Sequence, residues 1–170
     1  MSEGRRLVLM RHAKAEQVAA TDHARPLTER GRTDAARAGR WAREAGVLPD
    51  HAFVSSATRA TETWERFRDG AGLDLDERRE PAVYSAGTDA AIEILRTAPA
   101  GARTVLLVGH NPTMSQLVHL LDDGTAESQV YDELSAGLPT CAVAVLDVPG
   151  EWADLEVGGA RLIAFHVGRR

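Results

Sequence analysis

Leu7-Val8-Leu9-Met10-Arg11-His12 is the stretch whose reading decides the fold. Four consecutive apolar residues match a strand buried on both faces, as in a parallel sheet covered on either side. The run ends in a guanidinium and an imidazole, so the end of that strand presents both at one phosphate-sized point. A second stretch has the same form: Val105-Leu106-Leu107-Val108 runs into Gly109-His110-Asn111-Pro112. Two such strands in one sheet aim two histidines and an arginine at the same edge.

Working outward, strand-like runs alternate with helix-like segments, the pattern of a parallel sheet with helices on both faces. A polar loop holding Asp22, His23, Arg25 and Pro26 leads to Thr28, a candidate N-cap with Glu29 in the first turn. Ala35, Ala38, Ala42 and Ala45 recur at helical spacing, and Gly46 is placed to end that helix. Ala52-Phe53-Val54 reads as a short strand ending at Ser55-Ser56, followed by a helix over residues 58–67 with Arg59 in its first turn.

Residues 69–80 read as a polar connection, and Ala82-Val83-Tyr84 as a further strand. Thr88 caps a helix carrying Ile92 and Leu95, which stops before Pro99-Ala100-Gly101. Pro112 is expected at the first helical position of the next helix, closed by Gly124. Residues 141–148 and 162–167 form two strand-like runs joined through Pro149-Gly150 and Trp152, an expected edge hairpin. The predicted fold is α/β, a three-layer sandwich with a mostly parallel sheet, in one domain spanning residues 1–170.

The 170 residues are 44% hydrophobic and 26% charged, the composition of an ordinary globular protein. A net charge of −5 gives no global attraction for nucleic acid or an anionic membrane, so any anion site must be local. Lys14 is the sole lysine, and where nearly every cation is arginine, an arginine alone says little. Cys141 is also alone, which excludes an internal disulfide, and its apolar setting suits a buried thiol better than a nucleophile. The N-terminus lacks the apolar core of a secretory signal, and no run approaches the ~18 residues that span a bilayer. A cytoplasmic protein is expected.

In open parallel sheets ligands collect at the carboxyl ends of the strands, where Arg11, His12, Ser55 and His110 all fall. The helices after Ser55 and His110 point their amide-rich N-termini at that edge, which favours an anion. Arginine binds phosphate oxygens with a planar fork, whereas histidine serves as nucleophile, general base or donor according to its tautomer. A lone histidine behind a strand is commonly structural; two histidines with Arg11 and Arg59 reverse that balance. His23, His51, His119 and His166 have no such company and are assigned to surface or core, and Trp41, Trp64 and Trp152 to packing. No cysteine pair or H-x-x-x-H spacing supports zinc, and no Gly-Lys-Ser/Thr loop supports a nucleotide-dependent kinase. Neither metal nor cofactor is expected.

Four ordered blocks carry a resemblance. Leu7-Val8-Leu9-Met10-Arg11-His12-Ala13, Arg25-Pro26-Leu27-Thr28-Glu29-Arg30-Gly31, Ser55-Ser56-Ala57-Thr58-Arg59-Ala60-Thr61-Glu62-Thr63 and Val108-Gly109-His110-Asn111-Pro112 together resemble the histidine phosphatase superfamily, and within it the short SixA-type phosphohistidine phosphatases. The resemblance implies a phosphoglycerate mutase-like fold and metal-independent hydrolysis through a phosphohistidine intermediate. By position it makes His12 the nucleophile, with Arg11, Arg59 and His110 around the phosphoryl oxygens and Arg25 a further phosphate contact. Ala13 stands where the superfamily most often has glycine. Many members also carry a carboxylate after the third strand to protonate the leaving group, and Glu80-Pro81-Ala82-Val83-Tyr84 does not clearly supply one; Glu80 and Asp22 are the candidates. Phosphohistidine, whose imidazole leaves more readily than an alkoxide, needs that acid least. The implied partner is a phosphohistidine-bearing protein. The alternatives are a small phosphorylated metabolite turned over by a phosphatase or mutase, and a phosphate-binding module without turnover.

Overall fold

The computed structural model describes residues 4–169. Six strands form one sheet: β1 (Arg5–Arg11), β2 (His51–Ser55), β3 (Arg78–Glu80), β4 (Thr104–Gly109), β5 (Ala142–Val148) and β6 (Arg161–Val167), in the order β3-β2-β4-β1-β5-β6. The first four in that order run parallel, and only β5 opposes its neighbours. The mostly parallel α/β sandwich expected from the alternation is therefore the fold, and the edge hairpin is β5-β6.

Among the described residues five helices cover the sheet: α1 (Glu29–Glu44), α2 (Thr58–Ala71), α3 (Thr88–Arg96), α4 (Thr113–Leu121) and α5 (Ser128–Ser135). The central strands feed both layers by simple alternation. Leu7, Leu9, Val105 and Leu107 join the apolar cluster under α3 and α4, while Val8, Met10, Leu106 and Val108 join the cluster under α1 and α2. Each such fully buried aliphatic side chain contributes roughly 1.5–3 kcal/mol.

The alanine stripe of α1 serves a close helix crossing. A Cβ on Gly39 would sit 2.1 Å from the Phe67 carbonyl oxygen, and one on Gly70 2.1 Å from that of Ala36, so α1 and α2 meet backbone to backbone. Thr28 caps α1 by accepting from the Gly31 amide, as its position predicts. Trp64 and Trp152 are buried in the core, and Trp41 stacks on His166.

Several local expectations change. The third strand is Arg78–Glu80, inside the stretch read as a connection, and the run read as a strand is instead a 3-10 turn, Pro81–Tyr84. Pro81 explains the turn: it fixes φ and has no N–H for a ladder. Gly87, not Thr88, is the N-cap of α3, and Pro112 is the N-cap of α4 and not its first residue. That helix ends at Leu121, short of Gly124, and α5 was not foreseen. Among the described residues no helix is long and apolar enough to cross a membrane.

Candidate active site

β1 and β4 are neighbours with Arg11 in register with Gly109, and β2 lies on the other side of β4. The three strands end together, so the residues just beyond them share one place. His12 and His110 face each other with ring centroids 5.2 Å apart. Arg11, His12, Arg25, Arg59 and His110 line a single cavity of about 500 Å³, joined at its rim by Lys14 and Asn111. The five positions named for a phosphate pocket are thus brought together.

The backbone on either side of His12 is held firmly. Its amide donates to the Gly109 carbonyl at 3.0 Å, and its own carbonyl accepts from Cys141 at 3.1 Å. The Ala13 amide donates to Thr63 Oγ1, which donates in turn to the Arg59 carbonyl, tying the neighbour of His12 to the first turn of α2. Within the ring, Nδ1 lies 2.7 Å from the Ala13 carbonyl oxygen. A carbonyl can only accept, so Nδ1 carries the proton and Nε2 keeps its lone pair.

Burial, reinforced by His110, Arg59 and Arg11 and opposed by the Ala13 bond, pushes the His12 imidazole down to about 3. Burial and then Arg59 push His110 down to about 4. Both rings are neutral at pH 7. His110 Nε2 lies 2.7 Å from Ser55 Oγ, while its Nδ1 is buried without a hydrogen-bond partner.

Arg11 donates to the Leu138 carbonyl at 3.1 Å and Arg59 to the Asp22 carbonyl at 2.9 Å, yet the Nε of each is buried and unpartnered. Three orphaned nitrogens, from Arg11, Arg59 and His110, therefore belong to residues lining one cavity. Buried polar groups are almost always paired, and an anion bound in the cavity is one way to complete these three, although Arg5, Asp34 and His51 hold unpartnered buried atoms elsewhere. An anion with several acceptor oxygens suits the cavity.

Asp22 stands outside the cavity lining, as a hub for two of the arginines that form it. Its carboxylate accepts from Tyr84 at 2.5 Å, from Arg25 at 3.0 Å and from Arg59 at 3.2 Å. The Tyr84 bond, then Arg25 and Arg59, hold its carboxyl near about 2, ionised throughout the physiological range. Glu80 ends β3 in register with Ser55; its carboxylate pairs with Arg78 at 3.5 Å, and it does not line the cavity.

Sequence reasoning placed Ser55 at this edge without a role, since nothing in the sequence shows its hydroxyl reaching His110, and it passed over two further participants. Tyr84 packs edge-on against His110 and His23, with its hydroxyl on an aspartate 62 residues away, a contact visible only in three dimensions. The Leu138 carbonyl, shared by Arg11 and Asn111, carries no side-chain signal at all. Cys141 is a buried thiol pushed up to about 12. Among the described residues no three His, Cys, Asp or Glu cluster so as to share a metal ion.

Residues 7–82 match the family model of the histidine phosphatase superfamily, branch 1. An uncharacterised protein of Mycobacterium tuberculosis is 39% identical over 94% of this chain and all of its own length. A structure from Nakamurella multipartitia, provisionally named phosphohistidine phosphatase SixA, is 37% identical, with a TM-score of 0.82 over 96% of this chain and 95% of that one. The protein histidine phosphatase SixA solved with tungstate shares the fold at 22% identity, with a TM-score of 0.79 over 96% of this chain and 97% of that one. The chain belongs to the histidine phosphatase superfamily. Within that class it stands on the SixA-like branch.

Proposed function

We propose that the protein hydrolyses phosphohistidine carried on another protein, through a phosphohistidine formed at its own His12. The reading rests on one observation: His12 offers an unprotonated Nε2 in a cavity where Arg11, Arg59 and His110 each hold an unpartnered buried nitrogen. In the first step the Nε2 lone pair attacks phosphorus in line and the phosphorus–nitrogen bond of the substrate breaks, its electron pair returning to the departing imidazole, which takes a proton from solvent. In the second step water attacks the phosphohistidine. The P–Nε2 bond breaks, inorganic phosphate leaves, the water's proton passes to solvent, and His12 regains its lone pair.

Arg11, Arg25, Arg59 and His110 hold the equatorial oxygens, where charge builds in the transition state. Arg11, Arg25 and Arg59 are already held by hydrogen bonds of their own, so they need little reorganisation as charge develops. No metal ion enters this scheme, since guanidinium groups carry the positive charge. A phosphoramidate is favoured because Asp22, ionised at neutral pH, has no proton to give a leaving group, and Glu80 is engaged with Arg78.

Mutating His12→Ala in the purified chain tests the reading. Hydrolysis of phosphoramidate and para-nitrophenyl phosphate should disappear, together with trapping of labelled phosphate on the protein. Turnover retained by that variant, or a wild-type protein that binds tungstate without forming a phosphoenzyme, would overturn it.

A further inference from the structure

His110 has two ring nitrogens in different situations. Nε2 lies 2.7 Å from Ser55 Oγ, and Nδ1 is buried with no partner. Ser55 is itself wholly buried, and its oxygen already accepts the Ala57 amide at 3.3 Å. Two arrangements of protons are open to this pair, and they differ in what each leaves unmet.

If His110 carried its proton on Nε2 and donated it to Ser55, the hydroxyl proton of Ser55 would have no acceptor, and the Nδ1 lone pair would have no donor. That is two unmet groups in a buried place. If the Ser55 hydroxyl instead donates to Nε2, the serine uses its proton and accepts the Ala57 amide with one of its two lone pairs, and the single group with no partner at all is the Nδ1–H. One orphan is better than two, and the remaining orphan is a donor on a residue that lines the same cavity as Arg11 and Arg59, each of which has an unpartnered Nε–H of its own. The strand order agrees: β4 lies between β2 and β1, so Ser55 flanks His110 on one side and His12 on the other.

We infer that Ser55 is a positioning residue, whose hydroxyl donates to Nε2 of His110 and fixes the imidazole as its Nδ1–H form, a neutral donor for the phosphoryl group. The inference deepens the proposed phosphatase reading and rests on it for the word phosphoryl, but the tautomer belongs to the resting protein. Without the hydroxyl the proton is free to move to Nε2, and part of the population then turns a lone pair toward the anion. Removing one preorganised donor costs a catalytic site about 10²–10³-fold, so partial loss through a misplaced proton should cost about tenfold or more.

The test is a long-range proton–nitrogen correlation spectrum of the full chain labelled with nitrogen-15 in histidine, at neutral pH and without ligand. The His110 signals are assigned by their loss in His110→Asn. Wild-type protein should show protonated Nδ1 and bare Nε2 at His110. Ser55→Ala should shift that ring toward the Nε2–H form, weaken tungstate binding and slow para-nitrophenyl phosphate turnover at least about tenfold, while Ser55→Thr, which keeps the hydroxyl, should retain the wild-type tautomer. An Nε2-protonated His110 in the wild type overturns the inference even if Ser55→Ala does not fold, and so does an unchanged tautomer in a folded Ser55→Ala. Failure of the phosphatase reading shows up separately, as a wild-type protein with the expected tautomer and no phosphoenzyme.

Discussion

At the scale of single residues, the proposed chemistry divides the site into groups that would touch a phosphoryl anion and groups that aim them. Asp22 belongs to the second set. It engages Arg25, Arg59 and Tyr84 together, and its carboxyl is held near about 2, so its part is to orient guanidinium groups. Asp22→Asn removes a charge that competes with the anion, which helps binding, and loosens two arginines, which hurts it. Exposed ion pairs are worth only about 0–1 kcal/mol, so neither effect is large. We expect a change in kcat/KM of no more than about tenfold, with the same factor for phosphoramidate and for a phenyl phosphate of poor leaving-group quality. A loss confined to the poorer leaving group, measured across a series of aryl phosphates, would instead make Asp22 a proton donor.

At the scale of elements, α2 carries Arg59 in its first turn and depends on α1 for its place. The two helices touch where Gly39 faces Phe67 and Gly70 faces Ala36, and an added Cβ at either glycine would overlap a backbone carbonyl. Gly39→Ala gains about 1 kcal/mol of helix propensity, but overpacking costs typically 1–3 kcal/mol, and here the opposing atoms are backbone that cannot rotate aside. The clash should win, lowering Tm by several degrees in calorimetry and displacing Arg59 enough to raise KM. A variant as stable as wild type would mean that the helices part without cost. Legibility at this scale followed hydrophobic content. β1 and β4, four apolar residues apiece, announce themselves, whereas β3 is Arg78-Arg79-Glu80, an edge strand whose exposed side chains carry no pattern. Helix α5 buries only Leu134, too little to stand out as a periodic stripe.

At the scale of the whole molecule, the catalytic edge is built at a cost to acid stability. His12 and His110 have imidazoles pushed down to about 3 and about 4, against about 6.5 in an unfolded chain. Between these values the unfolded state binds more protons than the folded one, so stability falls as pH drops through 6.5. By pH 5 each histidine should have removed about 2 kcal/mol, and His51, lowered by burial and Arg78, acts in the same sense. Urea unfolding at pH 7.5 and pH 5 should reveal the loss, and His12→Gln should show a markedly smaller one; an equal slope in that variant would show the ring is not held neutral by the fold. What the sequence disclosed of the site follows the same division. Arg11, His12, Arg59 and His110 sit at strand ends or in a first helical turn, where chain position fixes spatial position. Tyr84 and Ser55 act through contacts that depend on how far neighbouring strands and turns extend.

One detail of His12 reaches beyond the protein itself. Because Nδ1 is committed to the Ala13 carbonyl, only the ring nitrogen remote from the main chain is open to phosphorus. The covalent adduct should therefore be the tele isomer and never the pros isomer, a distinction that isomer-selective antibodies can read directly on the trapped protein.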